Sequence, residues 1–172
     1  MSIKYEYYDT GDTSWTNFSA AERTAQSFTP LITHRITSIK AKLFRGGSPG
    51  TINVGIRNTA AFGNPTGSDL CSGTLDGNSL TTDEGGAWYE VTLGDGYILR
   101  AGTKYAMVLA CLGGSPGNEP AWRWDYEGAS GYTRGDGHWS SDGGETFYPA
   151  YHDYMFEEWG VTISPLPVHF IV

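Results

Sequence analysis

The feature that most constrains this chain is its punctuation: short runs of alternating apolar and polar residues, cut apart by clusters of Gly, Asn, Asp, Ser and Pro. Ile39, Ala41 and Leu43 alternate with Lys40 and Lys42, and Ile52, Val54 and Ile56 with Asn53 and Arg57. Successive side chains of a strand point to opposite faces, so each run has one dry face and one wet face. The cluster Arg45-Gly46-Gly47-Ser48-Pro49-Gly50 between them predicts a turn, and with it an antiparallel hairpin of these two strands. Further strands are predicted over 88–93, with Tyr89, Val91 and Leu93 on one face, and over 104–111, 121–126 and 154–163. The spacers are Gly63-Asn64-Pro65-Thr66-Gly67, Leu75-Asp76-Gly77-Asn78, Asp83-Glu84-Gly85-Gly86 and Gly113-Gly114-Ser115-Pro116-Gly117.

No stretch of useful length carries a helical period. A parallel α/β fold needs crossover helices, so the expectation is an all-β fold, an antiparallel β-sandwich (jelly roll) of two packed sheets. The 172 residues suit one domain, with 24 Gly and 8 Pro supplying the turns. Its expected organisation is an N-terminal β-prone arm over 1–24, a sandwich over 25–163 and a tail over 164–172. Tyr5, Tyr7 and Tyr8 mark the arm; Ser164-Pro165-Leu166-Pro167 breaks the last strand before Val168-His169-Phe170-Ile171-Val172. Apolar, β-prone ends need a pairing partner, which makes Tyr5, Tyr7, Val168, Phe170 and Val172 candidate assembly residues, joining copies of the chain or a neighbouring shell protein.

A net charge of -8 opposes the phosphate backbone and argues against nucleic acid as a partner. The longest apolar stretch, 105–112, is far shorter than a membrane-spanning helix. Met1-Ser2-Ile3-Lys4-Tyr5-Glu6-Tyr7 lacks the basic start and apolar run of a secretory signal, which predicts folding in the cytoplasm. Cys71 and Cys111 sit among apolar neighbours and are expected to be buried free thiols rather than a disulfide.

A series of segments carries a family likeness. These are Ala25-Gln26-Ser27-Phe28-Thr29-Pro30 leading into Ile36-Thr37-Ser38-Ile39, then Gly47-Ser48-Pro49-Gly50-Thr51 and Pro65-Thr66-Gly67-Ser68-Asp69-Leu70. Trp88-Tyr89-Glu90-Val91-Thr92-Leu93 and Leu99-Arg100-Ala101-Gly102-Thr103-Lys104-Tyr105 complete the set. In this order the chain resembles a β-sandwich family of phage structural proteins and of bacterial surface proteins of the choice-of-anchor type. That resemblance implies a jelly roll similar to carbohydrate-binding modules, a role in adhesion or assembly, and no catalytic residues. With neither anchor helix nor secretion signal in view, the expected role is a virion component, decorating a capsid or built into a tail or fibre. The alternative is a carbohydrate-binding module at the cell surface.

Two segments could bind a ligand. Trp122, Trp124 and Tyr126 alternate along one strand and would share a face, with Arg123 and Asp125 opposite. Such a row makes a stacking platform for a sugar when exposed, and plain core when buried. The Gly- and Asp-rich stretch 131–151 carries Tyr132, Trp139, Phe147, Tyr148 and Tyr151, and aromatics on loops are a binding signal. The glycan-binding candidates are therefore Trp122, Trp124, Tyr126, Tyr132, Trp139 and Tyr151.

Within that stretch, Ser140-Ser141-Asp142-Gly143-Gly144-Glu145-Thr146-Phe147 resembles the Asp-box, a structural hairpin. The resemblance gives Ser140, Asp142, Gly144, Thr146 and Phe147 a structural role, with Asp142 accepting turn N–H groups. Arg134-Gly135-Asp136 spells an integrin-type tripeptide and is expected to be coincidence. Asp76, Asp83, Glu84, Asp136 and Asp142 could offer oxygen ligands to calcium, although no calcium loop is spelled out. His34, His138, His152 and His169 lack zinc spacing, and Glu157-Glu158 must point to opposite faces of a strand. No cofactor and no enzymatic activity are expected.

Overall fold

The computed structural model describes residues 1–126 and 131–163. Among the described residues thirteen strands form, in chain order: β1 (Ile3–Tyr8), β2 (Ser14–Asn17), β3 (Arg23–Phe28), β4 (His34–Arg45), β5 (Thr51–Thr59), β6 (Pro65–Asp76) and β7 (Ala87–Leu99). They are followed by β8 (Tyr105–Ala110), β9 (Pro120–Tyr126), β10 (Gly137–Ser140), β11 (Tyr148–Pro149), β12 (His152–Tyr154) and β13 (Phe156–Thr162). All pairings are antiparallel and fall into two sheets packed face to face, an all-β sandwich.

In the first sheet β4 is central, with β7 along one edge and β13 and then β9 along the other. Beyond these lie β1 on β13, and β2 and β12 on β9. The second sheet runs β11-β10-β3-β8-β5-β6. Between the sheets Ile36, Ile39, Leu43, Val91, Leu93 and Trp122 meet Phe28, Ile52, Val54, Ile56, Met107 and Leu109, all buried.

The turn at 45–50 joins β4 in one sheet to β5 in the other, so the hairpin expected there does not exist. Alternation states only that each strand has a dry face. A hairpin sets two such faces side by side, whereas an arch sets them opposite one another across the core, and six spacer residues easily bridge sheets about 10 Å apart. The turn bonds outward instead: Arg45 N–H to Thr81 O, Gly46 N–H to Glu119 O, and Gly50 O receiving Gly77 N–H.

Two further boundaries move. The stretch 65–67, read as a spacer, opens β6, an edge strand whose mostly wet Thr- and Ser-rich surface hides the pattern of a half-buried strand. The residues read as an arm are part of the sandwich, because β1 and β2 complete the first sheet on β13 and β9. The tail over 164–172, with Val168, Phe170 and Val172, lies outside the described residues.

The joint between β12 and β13 organises the site. At Met155 the chain leaves β9 and joins β4: its N–H donates to Arg123 O, and its carbonyl accepts from Lys42 N–H and from the Trp122 indole at 2.9 Å. Trp122 also stacks on Tyr154 with centroids 4.4 Å apart. Replacing this fully buried indole by Ala removes packing and the bond to Met155 together. Trp122→Ala is expected to cost about 3–5 kcal/mol, measured as a drop in the urea midpoint; a change below about 1 kcal/mol would contradict the central place given to this residue.

Candidate functional site

The aromatic row on β9 does not act as one surface. Trp122 is sealed in the core, and Trp124 is half-buried, its indole donating to Thr16 Oγ1 at 2.9 Å and its ring stacked on His152 at 4.1 Å. Tyr126 stands 71% exposed. The strand runs from beneath the opposing sheet out to its rim, so identical spacing yields core, wall and lip in turn. As a sugar platform Trp122 is therefore corrected to core, because no ligand can reach it. The flanking polar residues are occupied too: Arg123 Nε bonds Asp12 at 2.5 Å, and Asp125 accepts from the Tyr8 hydroxyl at 3.0 Å.

Tyr132 is likewise corrected, since its ring packs edge-on against Phe156 and its hydroxyl donates to Glu6 at 2.7 Å. Arg134 pairs with the same Glu6 carboxylate, and a Cβ on Gly135 would sit 1.8 Å from Ser27 O. The Arg134-Gly135-Asp136 tripeptide is thus bolted to β1 and β3 instead of projecting. Tyr5 lies flat on His34 with centroids 3.6 Å apart, while Tyr7 is exposed beneath the Lys4 ammonium.

What does gather at one end of the sandwich is Trp139, Tyr148 and Tyr151. Trp139 and Tyr148 face each other across the β10–β11 pair, 42% and 48% exposed, with ring centroids 5.1 Å apart. Tyr151 is 78% exposed and held at φ +54°. Two clefts share Tyr151 and Pro149. One, about 310 Å³, is lined by Thr16, Trp139, His152 and Tyr154; the other, about 430 Å³, by Phe62, Asn64, Lys104, Asp136 and His138. Adjacent residues of a strand face opposite ways, so His138 and Trp139 serve the two clefts from opposite faces of β10. Phe62, Asn64, Lys104 and Tyr148 were not among the sequence candidates. Tyr148 lay in the aromatic-rich stretch 131–151 already singled out; for the others the one available signal was an aromatic in the turn segment Ala61-Phe62-Gly63-Asn64, where no strand or helix pattern offers it a core.

The 140–147 loop supports this rim from behind. Asp142 Oδ1 accepts from Ser140 Oγ at 2.7 Å and from the N–H groups of Glu145 and Thr146 at 3.0 Å each, and Ser140 Oγ accepts from Gly144 N–H. Bonds to the Thr146 backbone and to Ser140 pull the Asp142 carboxyl down to about 2. Phe147 turns inward onto Ala25 and Val108. Asp76 and Asp83 likewise accept turn N–H groups of their own, and Asp136 pairs with Lys104. Among the described residues no three His, Cys, Asp or Glu side chains are grouped to hold a metal.

Ser27 Oγ approaches His138 Nε2 at 3.3 Å, the separation of a nucleophile and its base. Ser27 is fully buried, however, and its hydroxyl bonds both Asp136 O and Asp136 N–H, so it packs a turn and meets no substrate. Glu157 points outward to Lys4, Glu158 inward to His34 at 2.7 Å. Cys71 and Cys111 are unpaired thiols; burial pushes Cys71 up to about 11, and Cys111 Sγ bonds Pro49 O.

These features define a class, the antiparallel β-sandwich with an aromatic rim. No family model and no curated protein matches the chain. Solved structures share the fold, and two of them are similar over nearly the whole of this chain. One holds the cysteine protease and lectin-like domains of Cwp84, a surface layer associated protein of Clostridium difficile, at TM-score 0.58 and 11% identity over 94% of this chain. The other is clostridial Cwp84 after propeptide cleavage, at TM-score 0.60 and 13% identity over 94%. The chain spans 36% and 40% of the lengths of those structures. Neither is a phage protein by description, so the virion expectation rests on the sequence resemblance alone.

Burial holds both His138 and His152 down at about 4, against an ordinary 6.5. A histidine depressed in the fold contributes stability that is present above about pH 6.5 and lost as pH falls towards 4. For His138 the loss at pH 5 is about 2 kcal/mol. His34 moves the other way: burial is the largest single effect and opposes its charge, but the bond and charge of Glu158, with the Ile32 carbonyl and the Glu6 charge, together raise it, so its contribution fades as pH rises. Between pH 7 and 5 the urea midpoint of His138→Gln is expected to fall less steeply than that of the parent chain; equal slopes would rule out a neutral His138.

Proposed function

We propose that the chain is a non-catalytic carbohydrate-binding module that serves adhesion at a cell surface or another extracellular setting. The observation that carries this reading is the rim at one end of the sandwich, where exposed Tyr151 borders two clefts, exposed Trp139 lines the smaller of them, and exposed Tyr148 packs beside Trp139. Sugar rings present apolar C–H faces that stack on aromatic rings, and their hydroxyls need a few placed polar groups, which Asn64, Lys104 and Asp136 offer. Three exposed aromatics on the short strands β10 and β11 and a loop do not serve the core, because their burial is incomplete.

The likeness to structures that contain a lectin-like domain of a surface layer associated protein supports the same reading. Against an enzyme stands the disposition of the polar side chains: Ser27 and His138 are spent on a turn, Asp142 on another, and Glu157 and Glu158 point apart.

Tyr151 borders both clefts, so it is the position at which the proposal is most exposed to test. On a broad glycan array the intact chain is expected to bind at least one glycan class, with Tyr151→Ala weakening that binding about tenfold, or about 1.4 kcal/mol, while the circular dichroism spectrum stays unchanged. An array silent towards the folded chain would refute the reading.

A further inference from the structure

We infer that the larger cleft clamps one uncharged pyranose ring between Phe62 and Tyr151, over a floor made by the Lys104–Asp136 pair. This rests on the carbohydrate reading and deepens it, naming the cleft and the kind of sugar. Phe62 is 91% exposed and Tyr151 78%, the two most exposed aromatic side chains among the described residues. Both are also held in left-handed backbone conformations, φ +61° and +54°. Bulky residues adopt that region only against steric strain, which is normally met where packing repays it. Here neither ring packs into the core. The strain sets two bare aromatic faces at one opening, a geometry that becomes favourable when something fills the space between them.

The floor states what that ligand is. Lys104 Nζ and Asp136 Oδ2 lie 3.5 Å apart, a donor and an acceptor side by side, both partly open to solvent. Neighbouring hydroxyls of a sugar fit such a pair, one donating to the carboxylate and the next accepting from the ammonium. The two charges cancel, so the cleft has no net charge with which to favour a uronic or sialic acid, and the chain as a whole, at -8, repels acids. Asn64 adds an amide at the edge.

His138 is the remaining wall. Ser27 Oγ gives its proton to Asp136 O at 3.1 Å, so the contact between Ser27 Oγ and His138 Nε2 requires the proton on Nε2. Nδ1 is left a bare acceptor, buried and without a partner among the described residues. Burial keeps the ring neutral at physiological pH, so this wall adds no positive charge either.

The test uses the full chain and titrates methyl hexopyranosides, led by the sugar of the best array hit, beside methyl glucuronide. Phe62→Ala is expected to weaken hexoside binding about tenfold and Phe62→Tyr to retain it; the side chain is so exposed that neither variant should alter the fold, which circular dichroism checks. Asp136→Asn, which leaves the ammonium unbalanced, should shift preference towards the glucuronide. Binding that survives Phe62→Ala but is lost in Trp139→Ala would place the sugar in the smaller cleft, overturning this inference and leaving the carbohydrate reading intact. A parent chain that prefers glucuronide would overturn the charge argument. Absence of binding to any glycan would overturn both.

Discussion

The structure depends on how one strand changes neighbours. At Met155 the last described pass of the chain leaves β9 for β4, and the Met155 carbonyl is held by the Trp122 indole and by Lys42 N–H. The stack of Trp122 on Tyr154 fills the core where the two courses part. With that joint set, β12 lies along the outer half of β9, and His152 is brought onto Trp124. The rim follows, since Tyr151 immediately precedes β12 and β11 lies just before it.

Buried polar groups complete what the core begins. Glu6 on β1 accepts from Leu31 N–H, the Tyr132 hydroxyl and Arg134, and so binds the N-terminal strand to the segment that leads into β10. Gln26 on β3 donates to Asp153 at 2.8 Å and accepts from Tyr154 N–H at 2.8 Å, while Asp153 accepts from Tyr132 N–H at 2.7 Å. These bonds tie the two sheets together at the end that carries the aromatics. Groups taken out of water must find partners, and the partners found here also give the rim a stiff base. A stiff base matters for binding, because a ring already in place loses little freedom when a ligand stacks on it.

The fold class and the dry faces of several strands could be read from the chain. Ile39, Ala41 and Leu43, or Val91 and Leu93, are buried as their alternation requires. Pairing was not legible, as the arch at 45–50 illustrates, because the same pattern satisfies a neighbour in the plane or one across the core. Nor was the difference between Trp122 and Tyr126: two positions of one face differ in exposure according to where the opposite sheet ends. Phe62 escaped notice for the converse reason, since nothing in its own segment marks the cleft that distant residues complete.

What the sequence by itself determined is local. Backbone sterics, side-chain alternation and turn chemistry act over a few residues, and they were enough to require short strands, two-faced sheets and a layered all-β chain. The tertiary structure alone decided which aromatics are core and which are rim, and which carboxylates are spent on turns. It also decided that Phe62 and Tyr151, 89 residues apart in the chain, border one cleft. Burial and proximity are properties of the whole packed chain, set by contacts between segments remote in sequence, and no local pattern encodes them.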